Sequence, residues 1–137
     1  MKYAAVLLFV ALGATPCVAQ YSQDYSACND KANTQAAMNA CAGDEASRAD
    51  NELNEVYRTL VTKSASQPEA VAKIKAAERA WLAYRDAYMD AMYRAKDKQA
   101  EYGSIYPLEA NLLRAKLTRE QTSALKDLLR RYEGPHP

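Results

Sequence analysis

The chain has 137 residues, room for one domain with a real core and too few for two ordinary ones. Charge nearly cancels, 18 Lys plus Arg against 17 Asp plus Glu with one His, so there is no general electrostatic pull toward nucleic acid or an anionic membrane surface. Four Gly, five Pro and no low-complexity stretch exclude collagen-like, Pro/Gly-rich disordered and coiled-repeat classes.

The first segment reads as a targeting sequence. Lys2 precedes the apolar run from Ala4 to Leu12, and the small and turn-forming Gly13, Ala14, Thr15 and Pro16 follow. This is the order of a secretory signal peptide, and the run is too short for a stable membrane span. Small side chains at Cys17 and Ala19 predict cleavage between Ala19 and Gln20, dividing the chain into a signal peptide, 1–19, and a single helical domain, 20–137. Lipidation at Cys17 is the alternative route, disfavoured by Pro16 beside the bond to be cut. Both routes place the mature protein outside the cytoplasm, periplasmic or secreted, with no stable membrane insertion after cleavage. Removal of Lys2 leaves equal numbers of charges of the two signs, and removal of Phe9 leaves no Phe.

Two cysteines remain, Cys28 and Cys41. An even pair in an exported chain reads as a disulfide, worth about 3 kcal/mol through the short loop it closes. A thiol or metal role is the weaker reading, because two thiolates without a nearby His make half a zinc site.

No segment alternates with period two, and the apolar positions follow helical spacing. A short helix is expected from Thr34 to Cys41, stopped by Gly43. A second, over 44–63, carries the stripe Ala46, Ala49, Leu53, Val56, Tyr57, Leu60 and Val61. Ser66 with Glu69 forms a capping box, and Pro68 suits the first turn of a third helix, expected over 68–101 with a bend near 93–98. Its stripe is Val71, Ile74, Ala77, Trp81, Tyr84, Tyr88 and Met92. Gly103 and Pro107 bracket a loop. A helix with Leu108, Leu112 and Leu113 follows, and a second capping box, Thr118 with Gln121, is expected to open a final helix carrying Leu125, Leu128, Leu129 and Tyr132. Gly134, Pro135, His136 and Pro137 read as a frayed tail. The expected fold is all-α, a small disulfide-tied bundle with a long antiparallel helix hairpin and antiparallel neighbours.

A turn near Ser66 and Gln67 sets the register of that hairpin. It predicts Asp50 opposite Arg85 as a bidentate ion pair, Asn54 opposite Trp81 with a bond to the indole N–H, and Tyr57 opposite Glu78. These read as links that fix register, not as a reaction centre.

Taken in order, Cys28, Cys41, the run Asp50, Leu53, Asn54, Tyr57 and the run Trp81, Tyr84, Arg85, Asp86 make a set that resembles the LprI-like family, named for a mycobacterial lipoprotein that inhibits lysozyme. The resemblance covers roughly 28–129. It implies a small, exported, helical, non-enzymatic protein that needs no cofactor. Relatives often carry a second cysteine pair, one shortly after the Tyr-Arg-Asp-Ala segment and one shortly before the Thr of the last helix. This chain has none there, which predicts that the far half of the bundle holds by packing alone and that the 102–107 loop is its more mobile end.

Catalysis finds little support in the residues. His136 sits between prolines at the C-terminus, no phosphate loop, nucleophile elbow or metal cluster is present, and Asp86, Asp90 and Asp97 read as a solvated face. The resemblance implies instead a protein partner, a lysozyme-like glycoside hydrolase. The loop carrying Tyr102, Ser104 and Tyr106 is the candidate target-binding element, since tyrosines give contact area at low entropic cost. The bland alternative is a turn whose tyrosines pack on the bundle end. At the level of function the alternatives are a non-inhibitory envelope binding module or an immunity protein. The stripe with Tyr84 and Tyr88 reads as core rather than as a ligand cleft.

Overall fold

The computed structural model describes residues 21–133. The expected cleavage after Ala19, the Cys17 alternative and the tail with His136 lie outside the described residues. The elements are α1 (Gln23–Asn29), α2 (Gln35–Lys63), α3 (Pro68–Met92), α4 (Lys98–Tyr102), a 3-10 turn (Gly103–Ile105) and α5 (Tyr106–Glu133). Among the described residues there is no strand, and no helix is long and apolar enough to cross a membrane. The class is all-α, as the periodicity predicted.

Three helices start on side-chain caps that satisfy otherwise unpaired N–H groups. The Ser22 hydroxyl accepts from Tyr25 N at 3.1 Å, Thr34 from Ala37 N at 3.1 Å, and Asp97 from Ala100 N at 2.9 Å. Cys28 on α1 and Cys41 on α2 form the disulfide, with Cα atoms 5.7 Å apart.

The long helices run up, down and up. Asp50 meets Thr118, Glu52 meets Lys126 and Lys63 meets Glu133, so α2 and α5 are parallel, offset by about 70 residues. They form the most closely packed pair in the molecule. The cause is side-chain size: Ala46, Ala49 and Ala115 fill the seam and let the two backbones approach. Toward the upper end Leu53, Leu60, Ile74 and Leu125 make the main core. At the disulfide end Tyr25, Cys41 and Ala42 make a second cluster, on which Leu108 and Leu112 pack. α3 runs antiparallel to both neighbours but stands farther off, because bulky Leu53, Tyr57 and Trp81 separate it from α2.

A buried charge ties three elements together. The Glu45 carboxylate has no exposure to solvent. It accepts from Ser22 N at 2.7 Å, Ser22 Oγ at 2.5 Å, Arg48 Nη2 at 3.1 Å and Arg119 Nη2 at 2.5 Å. Burial pushes this carboxyl upward, but the Ser22 hydroxyl and amide and the Arg119 guanidinium together hold it below the usual glutamate range.

Several local expectations give way to tertiary contacts. The short helix does not stop at Gly43. It continues into α2 as one 29-residue helix, because a helical glycine costs only about 1 kcal/mol and here lies against Asn111 of α5. α3 begins at Pro68 with Gln67 as its N-cap and no side-chain cap bond, so Ser66 and Glu69 form no capping box there. It ends at Met92, and the break before α4 falls at 93–97, within the region where a bend was expected. Thr118 and Gln121 open no helix either. Both lie inside α5, where Thr118 Oγ1 donates to Asp50 Oδ1 at 3.1 Å and Gln121 Nε2 donates to Glu78 Oε2 at 2.9 Å.

The buried face of α3 is also shifted from the expected stripe. Ile74 and Glu78 are buried and Trp81, Arg85 and Met89 half-buried, whereas Tyr84 is 58% and Met92 49% exposed. Tyr84 and Tyr88 meet at a tilt, ring centroids 5.9 Å apart, on the outer side instead of entering the core. The reason is that helical spacing alone permits two adjacent stripes, and α5 selected the one carrying Glu78.

Candidate functional site

Two features bring together the residues singled out in the sequence. The first is an open cleft of about 370 Å³ between α2 and α3. Its α2 wall is Asp50, Leu53, Asn54 and Tyr57, one helical face at three-four spacing. Its α3 wall carries Lys75, Glu78, Arg79, Leu82 and Arg85. The cleft is the consequence of unequal packing: small residues close the α2–α5 seam, and large ones prop α3 away.

Within it, the predicted pair Asp50 and Arg85 face each other, but loosely. Arg85 Nη1 lies 3.9 Å from Asp50 Oδ1, a single contact and not a bidentate one. Arg85 Nε and Nη2 instead donate to Asp86 Oδ1 at 3.1 and 3.0 Å, and the guanidinium stands 5.2 Å from the Trp81 ring centroid. Asp50 takes its closer bond from Thr118. Among the described residues no hydrogen bond joins Asn54 to Trp81, whose ring is occupied by Arg85. Tyr57 and Glu78 both line the cleft, Glu78 turned to Gln121. Tyr84 and Asp86 point outward, away from the cleft.

The second feature is the tyrosine turn. Tyr93, Tyr102 and Tyr106 form one ring cluster, with centroids 5.5, 5.0 and 6.0 Å apart. Tyr102 Oη accepts from Ala95 N at 3.3 Å. Burial, then Glu109 and the neighbouring tyrosines, pushes the Tyr93 phenol above its ordinary value. Asn39 Nδ2 on α2 donates to the Ser104 carbonyl at 3.0 Å, which fastens the turn to the disulfide-bearing end of the molecule. The 102–107 segment is therefore next to the disulfide end, not on a remote half of the bundle. Gly103 has φ 72°, a conformation that favours glycine. The outcome is a pinned turn that presents Ser104 and the 43%-exposed Ile105, while the Tyr102 and Tyr106 rings pack inward on Tyr93.

Sequence reasoning missed Glu45, Lys75 and Arg79. Glu45 gives no local sign, since Ser22 and Arg119 are 23 and 74 residues away. Lys75 and Arg79 had one: two cations a single turn apart, a spacing that repels. Among the described residues no three His, Cys, Asp or Glu side chains converge closely enough to hold a metal ion.

Residues 28–125 match the protein family described as Lysozyme inhibitor LprI. An uncharacterized protein of Rhizobium meliloti (strain 1021) is 33% identical over 115 residues, covering 76% of this chain and 80% of its own length. No solved structure matches the chain.

Proposed function

The chain belongs to the lysozyme inhibitor LprI family, and we propose that it is an exported protein that binds and inhibits a lysozyme-type cell-wall hydrolase, protecting the cell that makes it. The observation that carries this reading is the turn 102–106. An inhibitor of such an enzyme must enter a cleft lined by carboxylates, which calls for a protruding element that is already ordered and offers hydrogen-bond donors. Asn39, Tyr93 and the ring cluster hold this turn in place, so little conformational entropy is left to lose on binding. Ser104 supplies a hydroxyl donor and Ile105 an apolar contact at its tip. In this reading the protein acts by occlusion and performs no reaction of its own. The mature chain works in the periplasm or outside the cell.

The test is hydrolase activity on cell-wall substrate, with the purified chain 20–137 titrated from well below to well above equimolar. Saturating loss of activity near equimolar is the expected result. Ser104→Glu combined with Ile105→Ala should abolish inhibition while leaving the melting temperature unchanged, because both side chains are exposed and the new carboxylate is repelled by the acids of the cleft. The tyrosines are poorer probes, since Tyr102 and Tyr106 pack against Tyr93. No inhibition of animal-type or bacterial enzymes would leave the envelope binding module or the immunity protein as the reading to pursue.

A further inference from the structure

The cleft between α2 and α3 takes no part in the inhibitory turn, yet its polar groups are arranged unequally. Its two acids are drawn back toward α5: Thr118 donates to Asp50 and Gln121 to Glu78. Its cations are not balanced in the same way. Lys75 and Arg79 line the cleft one turn apart and have no acidic partner among the described residues, whereas Lys73 on the same helix pairs with Glu69. Two like charges at this spacing cost the helix stability, and neither forms an ion pair among the described residues. Opposite them, Asn54 and the Tyr57 hydroxyl also have no hydrogen-bond partner among the described residues. Leu53 and the 37%-exposed Leu82 give the same cleft an apolar strip.

We propose that this cleft binds a short acidic peptide: Lys75 and Arg79 take a side-chain carboxylate, Asn54 and Tyr57 bond the peptide backbone, and Leu53 with Leu82 receive an apolar side chain. The chemistry favours a peptide over a simple anion, because an anion would leave the apolar strip and the amide of Asn54 unused. It favours an extended chain over a sugar, because the two cations require a full negative charge. The open cleft of about 370 Å³ accommodates a few residues. The site is separate from the 102–106 turn and stands or falls independently of hydrolase inhibition.

The chain reports on its own cleft. Trp81 is its single tryptophan and lies behind the cleft against Arg85, which lines it. The probe is the acetylated, amidated tetrapeptide Ala-Glu-Leu-Glu, with Ala-Gln-Leu-Gln as its neutral counterpart, titrated into the purified chain 20–137 while Trp81 emission is followed. The acidic peptide should give a saturable change, and the neutral one should bind at least about tenfold more weakly. Arg79→Gln and Lys75→Gln should each weaken binding about tenfold, with Lys73→Gln as an unchanged control. All three residues are exposed, so no variant should melt clearly below the parent, and Lys75→Gln and Arg79→Gln should melt at or slightly above it. The proposal is overturned by a silent titration up to roughly millimolar peptide, by equal binding of the neutral peptide, or by full binding to the Arg79→Gln variant. Binding of a folded acidic protein with the tetrapeptide silent would overturn it as well.

Discussion

Glu45 on α2 and Arg119 on α5, 74 residues apart in sequence, meet at 2.5 Å with the carboxylate fully buried and the arginine partly solvated. The same carboxylate holds the backbone and hydroxyl of Ser22, whose side chain caps α1. One charge thus fastens the N-terminal end of α1 to the α2–α5 seam. Such a node is specific because every lone pair of the buried carboxylate needs a donor, and only this arrangement of three elements supplies them.

Replacing Glu45 tests the node directly. Glu45→Gln should lower stability by about 3 kcal/mol, the low end for breaking a buried ion pair, because Arg119 and Arg48 retain access to water. Its pH dependence follows from the lowered carboxyl. The stabilisation is complete above the unfolded value near pH ~4.3 and is lost as pH falls through the lower folded value. Thermal melts between neutral pH and pH ~3 should show the acid-side loss in the parent and a flatter profile in Glu45→Gln.

Arg85 is expected to matter less to stability than its place opposite Asp50 suggests. The contact is 3.9 Å, and Asp50 is 37% exposed in its side chain, so Arg85→Ala should cost about 0.5 kcal/mol of ion-pair energy. Thr118→Val removes the closer bond to the same carboxylate from a fully buried hydroxyl, and should cost about 1 kcal/mol. Denaturant melts that rank the two the other way round would show that the Arg85 stacking on Trp81 dominates this interface.

The disulfide closes a loop between residues 13 apart in sequence and joins α1 to the long helix. Reduction, or the double change Cys28→Ser and Cys41→Ser, should cost about 3 kcal/mol. Hydrogen exchange should then rise first in α1, which packs on the rest mainly through Tyr25 and the cystine. Alkylation of the native, unreduced protein should modify neither cysteine.

The two glycines of the described residues should respond in opposite directions. Gly103→Ala places a side chain at φ 72° and should destabilise by about 1 kcal/mol. Gly43→Ala adds a Cβ that meets Asn111 Nδ2 at an ordinary 3.8 Å inside a helix, and should stabilise by about 0.5 to 1 kcal/mol. Paired thermal melts read both signs in one experiment.

Much of this architecture is already present in the order of residues. The stripe Ala46, Ala49, Leu53 and Leu60 is the buried face of α2, and Leu125, Leu128, Leu129 and Tyr132 face the same core from α5. The cysteine spacing yields the disulfide, and a short turn after Lys63 places Asp50 opposite Arg85. These are local or nearest-neighbour matters, determined by periodicity and loop length. What only the tertiary structure decided is where local start and stop chemistry is overruled. Gly43 and Thr118 look like helix boundaries in the sequence, yet each sits inside one, because the partner that settles its state comes from the parallel helix about seventy residues away. The same holds for the choice between two adjacent faces of α3, which left Tyr84 in solvent, and for the burial of Glu45. Helical periodicity states that a face will be covered; which side chains are small enough to let a neighbour close over it, and which prop it open into a cleft, is settled only when all three helices pack at once.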